Sequence, residues 1–173
     1  LDGETAKLEY STFWVEGSRV KDRSPDRILR EVCSVDVIVL VGRILFVALF
    51  LNSGVGHFAN TKAMTGFAQS KGVPLAKPAV LASGVLLLVG GLMVLLGVWA
   101  DLGALLLAVF LVPTAFLMHG FWKESDAQAR QTEQIQFLKD VALAGAALML
   151  FAFFAAHDDL GLTVTGPLFQ LGS

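Results

Sequence analysis

The chain has 173 residues, 55% of them hydrophobic and 16% charged, with a mean hydropathy of +0.67. A soluble domain carries about a quarter of its residues charged, so this composition excludes a soluble globular enzyme and a disordered chain and indicates an integral membrane protein. The formal net charge of −2 offers no basic footprint, so nucleic acid is not an expected partner.

Charges crowd the first thirty residues, which contain no apolar run. A secretory signal is therefore expected only upstream of Leu1, and a chain opening without Met is expected to have lost residues there. Phe13, Trp14, Ile28 and Leu29 sit among those charges, which makes 1–34 an amphipathic N-terminal segment suited to docking a protein partner. Ser24-Pro25-Asp26 reads as an N-cap, an N1 proline and a first-turn acid, starting a helix that runs toward the first span. Cys33 is the only cysteine, so no disulfide can form within the chain. Its apolar setting reads as inert filler ahead of a reactive thiol.

Four stretches are long and apolar enough to cross a hydrocarbon core, which takes about 20 helical residues. They cover 37–58, interrupted by Arg43; 78–100, with no ionisable residue; 102–122, with His119 near its end; and 137–156, entered through Lys139 and Asp140. Helices are expected because an open sheet edge in lipid leaves backbone groups unpaired, and no period-2 alternation suggests a barrel. Glycines 84, 90, 91 and 97 in the second span, with Ala142, Gly145 and Ala146 in the fourth, favour close helix contact. The fold class is all-α integral membrane: a four-transmembrane-helix bundle over 35–157, preceded by the amphipathic extension and followed by a tail at 158–173. A link of only Ala100-Asp101 makes the second and third helices antiparallel neighbours.

Between the first two spans, Thr61 caps an expected short amphipathic helix bearing Met64, Phe67 and Ala68 on one face and lying on the membrane interface. Gly72 ends it and Pro74 stops it continuing. Ser125 with Gln128 forms a capping-box pattern that opens a polar helix leading into the fourth span. Four spans place both termini on one side. That side has six cations (Lys7, Arg19, Lys21, Arg23, Arg27, Arg30) against five opposite, and the cluster just before the first span tips the expectation toward cytoplasmic termini.

This threading puts His57, His119, Lys139 and Asp140 on the face opposite the termini, and Arg43 and Asp101 on the terminal face. Two histidines, a lysine and a carboxylate at one depth suit a quinone head group, with haem or metal ligation as a weaker reading. Plain anchoring of helix ends at head-group depth stands beside both, and the predicted site contains no metal. Arg43 lies about 9 Å into the membrane if its helix starts near Val37. It is expected either to snorkel to the terminal face or to pair with Asp101 or Asp36 inside the bundle. Facing inward, it would offer a donor fork to a lipophile. Asn52, Ser53, Ser83 and Thr114 add hydrogen-bonding groups, and Pro113 is expected to open room beside Thr114. No phosphate loop, HExxH or nucleophile elbow is present, and Gly54-Val55-Gly56 inside a span is not a dinucleotide motif.

Val41-Gly42-Arg43-Ile44-Leu45-Phe46 and Asn52-Ser53-Gly54-Val55-Gly56-His57-Phe58 resemble the first helix of the DoxX family. Phe67-Ala68-Gln69-Ser70-Lys71-Gly72-Val73-Pro74 is similar to that family's following loop. Val89-Gly90-Gly91 with Leu96-Gly97, and then Thr114–Trp122 with Gln136–Asp140, continue the match in order over 37–156. The resemblance implies a four-helix bacterial inner-membrane protein. Some relatives act in thiosulfate:quinone oxidoreduction, and others associate with redox-detoxification enzymes. It places the family's arginine and histidine on Arg43 and His119, and puts His57 where relatives commonly have lysine. Relatives often carry a glutamate before Gly90-Gly91, absent here, so a proton-relay role for the second span is not expected.

Together these readings predict a membrane subunit that supports a quinone- or thiol-linked redox enzyme and holds a lipophilic ligand between helices. His57, His119 and Asp140 are the expected head-group contacts, with Arg43 contributing from the other face. No complete active site is expected, because nothing in the chain stores electrons without a bound cofactor. The alternative is a non-catalytic assembly subunit of a larger membrane complex that uses 1–34 to dock its partner; a small transporter ranks last. Membrane lipid is the partner common to all three.

Overall fold

The computed structural model describes residues 25–157 and 160–171, with side chains from residue 35 onward. The docking segment expected at 1–34 lies outside the described residues except for the backbone of a helix that opens at Pro25, as an N1 proline should. The chain divides into two compact units, Leu1–Ile38 and Val39–Ser173, and the second is the bundle.

Five α-helices carry the described chain: α1 (Pro25–Ala59), α2 (Thr61–Ser70), α3 (Ala76–Leu96), α4 (Ala100–Met118) and α5 (Ala127–Ala156), with a 3-10 turn at Phe121–Lys123 between the last two. No strand occurs among the described residues. Val35–Ala59, Ala76–Leu96, Ala100–Lys123 and Ala127–Ala156 are long and apolar enough to cross a membrane, so the protein is a four-span helical bundle. α2 is the short helix between spans.

The bundle packs through small residues and close backbones, because lipid tails compete for every apolar contact. A Cβ on Gly103 of α4 would stand 2.7 Å from Met93 Cβ and 2.9 Å from the Gly90 carbonyl of α3. One on Gly84 of α3 would stand 2.9 Å from His57 Cβ of α1. Leu87 and Leu107 fill the centre, fully buried, with Val47, Phe50 and Ala147 around them.

Three local expectations need correction. The link between the second and third spans is Gly97-Val98-Trp99, three residues earlier than the hydropathy pattern suggests. Gly97 (φ 67°) and Trp99 (φ 43°) turn the chain there in left-handed conformations. The N-cap of α5 is Asp126, whose Oδ2 accepts from Ala129 N at 2.8 Å, so the capping role falls one residue after Ser125. α2 starts behind Asn60 without a side-chain cap. Thr61 Oγ1 instead donates back to the His57 and Phe58 carbonyls. Its other end is as expected: Gly72 (φ 79°) donates to Gln69 O and Val73 to Ala68 O, a Schellman closure.

Arg43 neither snorkels nor pairs with a carboxylate among the described residues. It is 2% exposed and donates to the carbonyls of Val94 (2.9 Å), Leu95 and Leu162 (2.9 Å). Val94 and Leu95 lie in the last turn of α3, whose carbonyls have no helical partner, and a cation there also meets the negative end of the helix dipole. Asp101, fully buried, accepts at Oδ2 from Leu168 N (2.8 Å) and Phe169 N (2.6 Å). Both buried charges thus bind backbone of the segment after α5.

Candidate functional site

α1 and α3 pack closely where Gly54 and Gly84 face each other: a Cβ on Gly54 would stand 2.8 Å from Leu88 and 3.3 Å from the Gly84 carbonyl. Beside that contact the helices line a half-open cavity of about 520 Å³, mainly with apolar side chains of α1 to α5. Leu49, Val80, Leu87 and Phe110 form part of its apolar wall. Ser83, Pro113 and Thr114 also line it, the room expected beside the helix-interior proline. Ser83 Oγ and Thr114 Oγ1 donate to Val80 and Phe110 carbonyls within their own helices, so neither hydroxyl needs a ligand to satisfy its donor. A cavity of this size and apolarity is typical of small-molecule sites.

His57, His119, Lys139 and Asp140 all line this one space. His57 is buried, with Nδ1 2.8 Å from the Ser53 carbonyl one turn back. Nδ1–H is the donor in that bond, so a neutral ring keeps its lone pair on Nε2. Burial argues against the head-group anchoring considered for this residue. Lys139 and Asp140 diverge as adjacent helical residues must: Asp140 is 6% exposed and turned inward, and Lys139 Nζ donates to Gln136 Oε1 at 2.6 Å.

His119 caps the C-terminus of α4, its amide bonded to Ala115 O at 3.2 Å. The next residues make the 3-10 turn, and Phe116, Phe121 and Trp122 close on Phe137 of α5 with ring centroids 5.3 to 5.8 Å from it. That aromatic contact holds the end of α4 against α5 and sets the imidazole between two carboxylates. Nδ1 lies 2.8 Å from Glu133 Oε2, and Nε2 lies 3.7 Å from Asp140 Oδ2. The first is a hydrogen bond; the second is too long for one and leaves space for adjustment or a bridging group.

Glu133 and Lys71 are the members the sequence reading missed. Glu133 Oε1 accepts from Lys71 Nζ at 2.9 Å, and Lys71 also reaches Glu124 at 3.2 Å and lies over the Phe67 ring. The Glu133 carboxylate holds the Lys71 ammonium above the ordinary lysine range, and Glu124 adds to this against the cost of burial. The result is a row, Lys71–Glu133–His119–Asp140, that runs from the α2–α3 loop to the cavity wall. Glu133 had a signal available: it is seven residues before Asp140, two turns along the same helical face. Lys71 had none, being 62 residues from its partner.

Arg43 does not join this group. It is absent from the cavity lining and lies fourteen residues before His57 on α1, about 21 Å along the axis. Among the described residues, no group of three or more His, Cys, Asp or Glu is placed to hold a metal ion.

The family model for DoxX matches residues 38–120. The chain is 33% identical to inner membrane protein YqjF of Escherichia coli (strain K12) over 116 residues, covering 66% of this chain and 82% of that protein. No solved structure matches.

Proposed function

The chain belongs to the DoxX family, and from that premise we propose that it is a bacterial inner-membrane subunit holding a quinone-type lipophile between its helices in support of a partner redox enzyme. The cavity carries the reading: an apolar space of about 520 Å³ whose polar residues include two histidines, a lysine and a buried carboxylate. A lipophile with a hydrogen-bonding ring fits that division of chemistry. The arginine cluster before the first span supports cytoplasmic termini, and the relative's inner-membrane name supports the compartment.

The donor set suits both forms of such a ring. Lys139 and a protonated His119 donate to carbonyl oxygens, while His57 Nε2 and the Asp140 carboxylate accept from hydroxyls. When bound, a quinone would supply electron transfer coupled to proton uptake, and the chain's own part is to orient the ring and move protons. The His119 row serves the second task. With Nδ1 bonded to Glu133, His119 Nε2 is the ring nitrogen that faces Asp140, so a proton taken up there can pass to the carboxylate, imidazolium and carboxylate becoming imidazole and carboxylic acid. Moving between the two requires closing the 3.7 Å gap, directly or through one bridging group.

Native mass spectrometry of the protein in a mild detergent tests the reading. A stoichiometric adduct of quinone mass is expected, and His119→Phe is expected to lose it while unfolding at nearly the wild-type temperature, because Glu133 keeps Lys71. A chain that arrives without such an adduct, or a His119→Phe protein that retains it fully, refutes the assignment.

A further inference from the structure

We infer that the protein is a parallel homodimer in the membrane, joined along α1 with Asn52 of each copy hydrogen-bonded to its twin. The buried face of α1 is marked by Arg43, Val47, Phe50 and His57. Asn52 lies nine residues after Arg43, about 180° around the helix at 100° per residue. Its side chain is exposed and makes no hydrogen bond among the described residues. It is also deep: seven residues before the end of a candidate span that runs Val35–Ala59, about 10 Å along the axis. A short amide cannot reach head groups from there, and hydrocarbon offers it no partner.

The residues around it form a seam. Gly42, Leu45, Leu49, Asn52, Gly56 and Ala59 repeat at alternating steps of three and four, the spacing of a left-handed helix pair. Leu45 is 72% exposed, and a Cβ on Gly42 or Gly56 would meet nothing within 4 Å, so both flanks of the seam can admit a second helix. The occupant follows from depth and chemistry. Two copies of one membrane protein share an orientation, so their α1 helices run parallel and place Asn52 opposite Asn52 at one level. An amide both donates and accepts, so the pair is self-complementary, as a two-fold interface demands. Leu49 also lines the cavity, but the test reads cross-linking and Asn52 rather than a ligand, so the homodimer is decided whatever the cavity holds.

Disulfide trapping in native membranes tests it. In a Cys33→Ser background, Leu45→Cys is expected to give an oxidised species of twice the chain mass, while Leu92→Cys, also exposed but on α3, gives none. Adding Asn52→Val to Leu45→Cys is expected to weaken association about ten-fold, with the thermal unfolding of the protomer unchanged. Equal trapping at Leu45 and Leu92, trapping indifferent to Asn52, or a cross-linked product containing a different protein would each overturn the homodimer.

Discussion

Lys71 shows how one side chain can couple a loop to the cavity. Its ammonium is held by two carboxylates, only one of which, Glu133, goes on to position His119. Because its folded value lies above the ordinary 10.5, the stabilisation is complete below that value and is lost only as pH rises through the raised one. Lys71→Gln is therefore expected to lower stability by about 0.5–1 kcal/mol at pH 7. The gap between the two proteins should stay constant to pH 9 and close only as pH rises past the ordinary 10.5 and through the raised folded value; scanning fluorimetry of both across that range reads it, and a gap that fades between pH 7 and 9 would show that another group sets it. The pairing explains which site residues could be read from sequence. His57, His119 and Asp140 are rare polar groups at span ends, and rarity is visible in a string of letters. Lys71 and Glu133 look like ordinary interfacial charges, and only the fold brings them to the site. Arg43, the most conspicuous residue in the sequence, misled for the complementary reason: backbone carbonyls satisfy it, and carbonyls carry no residue identity.

The helices obey the same logic of close approach. Gly103 on α4 faces Gly90 on α3 so tightly that a methyl group would stand 2.9 Å from a carbonyl oxygen and 2.7 Å from Met93 Cβ. Neither is the far end of a flexible chain, so the helices themselves must part. Gly103→Ala is expected to cost about 1–3 kcal/mol in unfolding free energy. Gly145→Ala in α5, where nothing lies within 4 Å, should instead gain about 0.5–1 kcal/mol from helix propensity. Opposite signs for one chemical change, measured by unfolding in mixed micelles, test whether close approach rather than glycine itself matters; a stabilising Gly103→Ala would refute the packing. The four spans were legible because hydropathy and length decide them. Their ends were less so. α3 ends at a left-handed Gly97 (φ 67°), a glycine cap that the hydropathy pattern ran through, and Thr165, 66 positions after Trp99, bonds across the turn that follows. The polar helix expected to lead into the fourth span is there, continuous with it through ten residues before Phe137; only its cap was misplaced by one residue.

At the scale of the molecule, the segment 160–171 closes one end of the bundle, although its glycines and proline read simply as a tail. Val164 and Thr165 donate to the Gly97 carbonyl, Trp99 N donates to Thr165 Oγ1, and Leu171 N returns to Ala155 O. A Cβ on Gly97 would stand 2.7 Å from Thr163, so the segment seats against bare backbone. The two buried charges at this end are its fasteners: Arg43 takes the Leu162 carbonyl and Asp101 takes two amides. If that is why they are buried, their cost must depend on the segment. Asp101→Ala is expected to destabilise the full chain by about 2–3 kcal/mol, since it strands two amides and unfastens the closure. Removing residues 160–173 should destabilise it at least as much. In the truncated protein Asp101 has lost both donors and its shield from water, so adding Asp101→Ala there should cost nearly nothing. The cycle then yields a coupling close to the whole single-mutant cost. Additive losses would instead mean that Asp101 stabilises the N-terminus of α4 by itself, through the helix dipole, and that the segment packs independently of it.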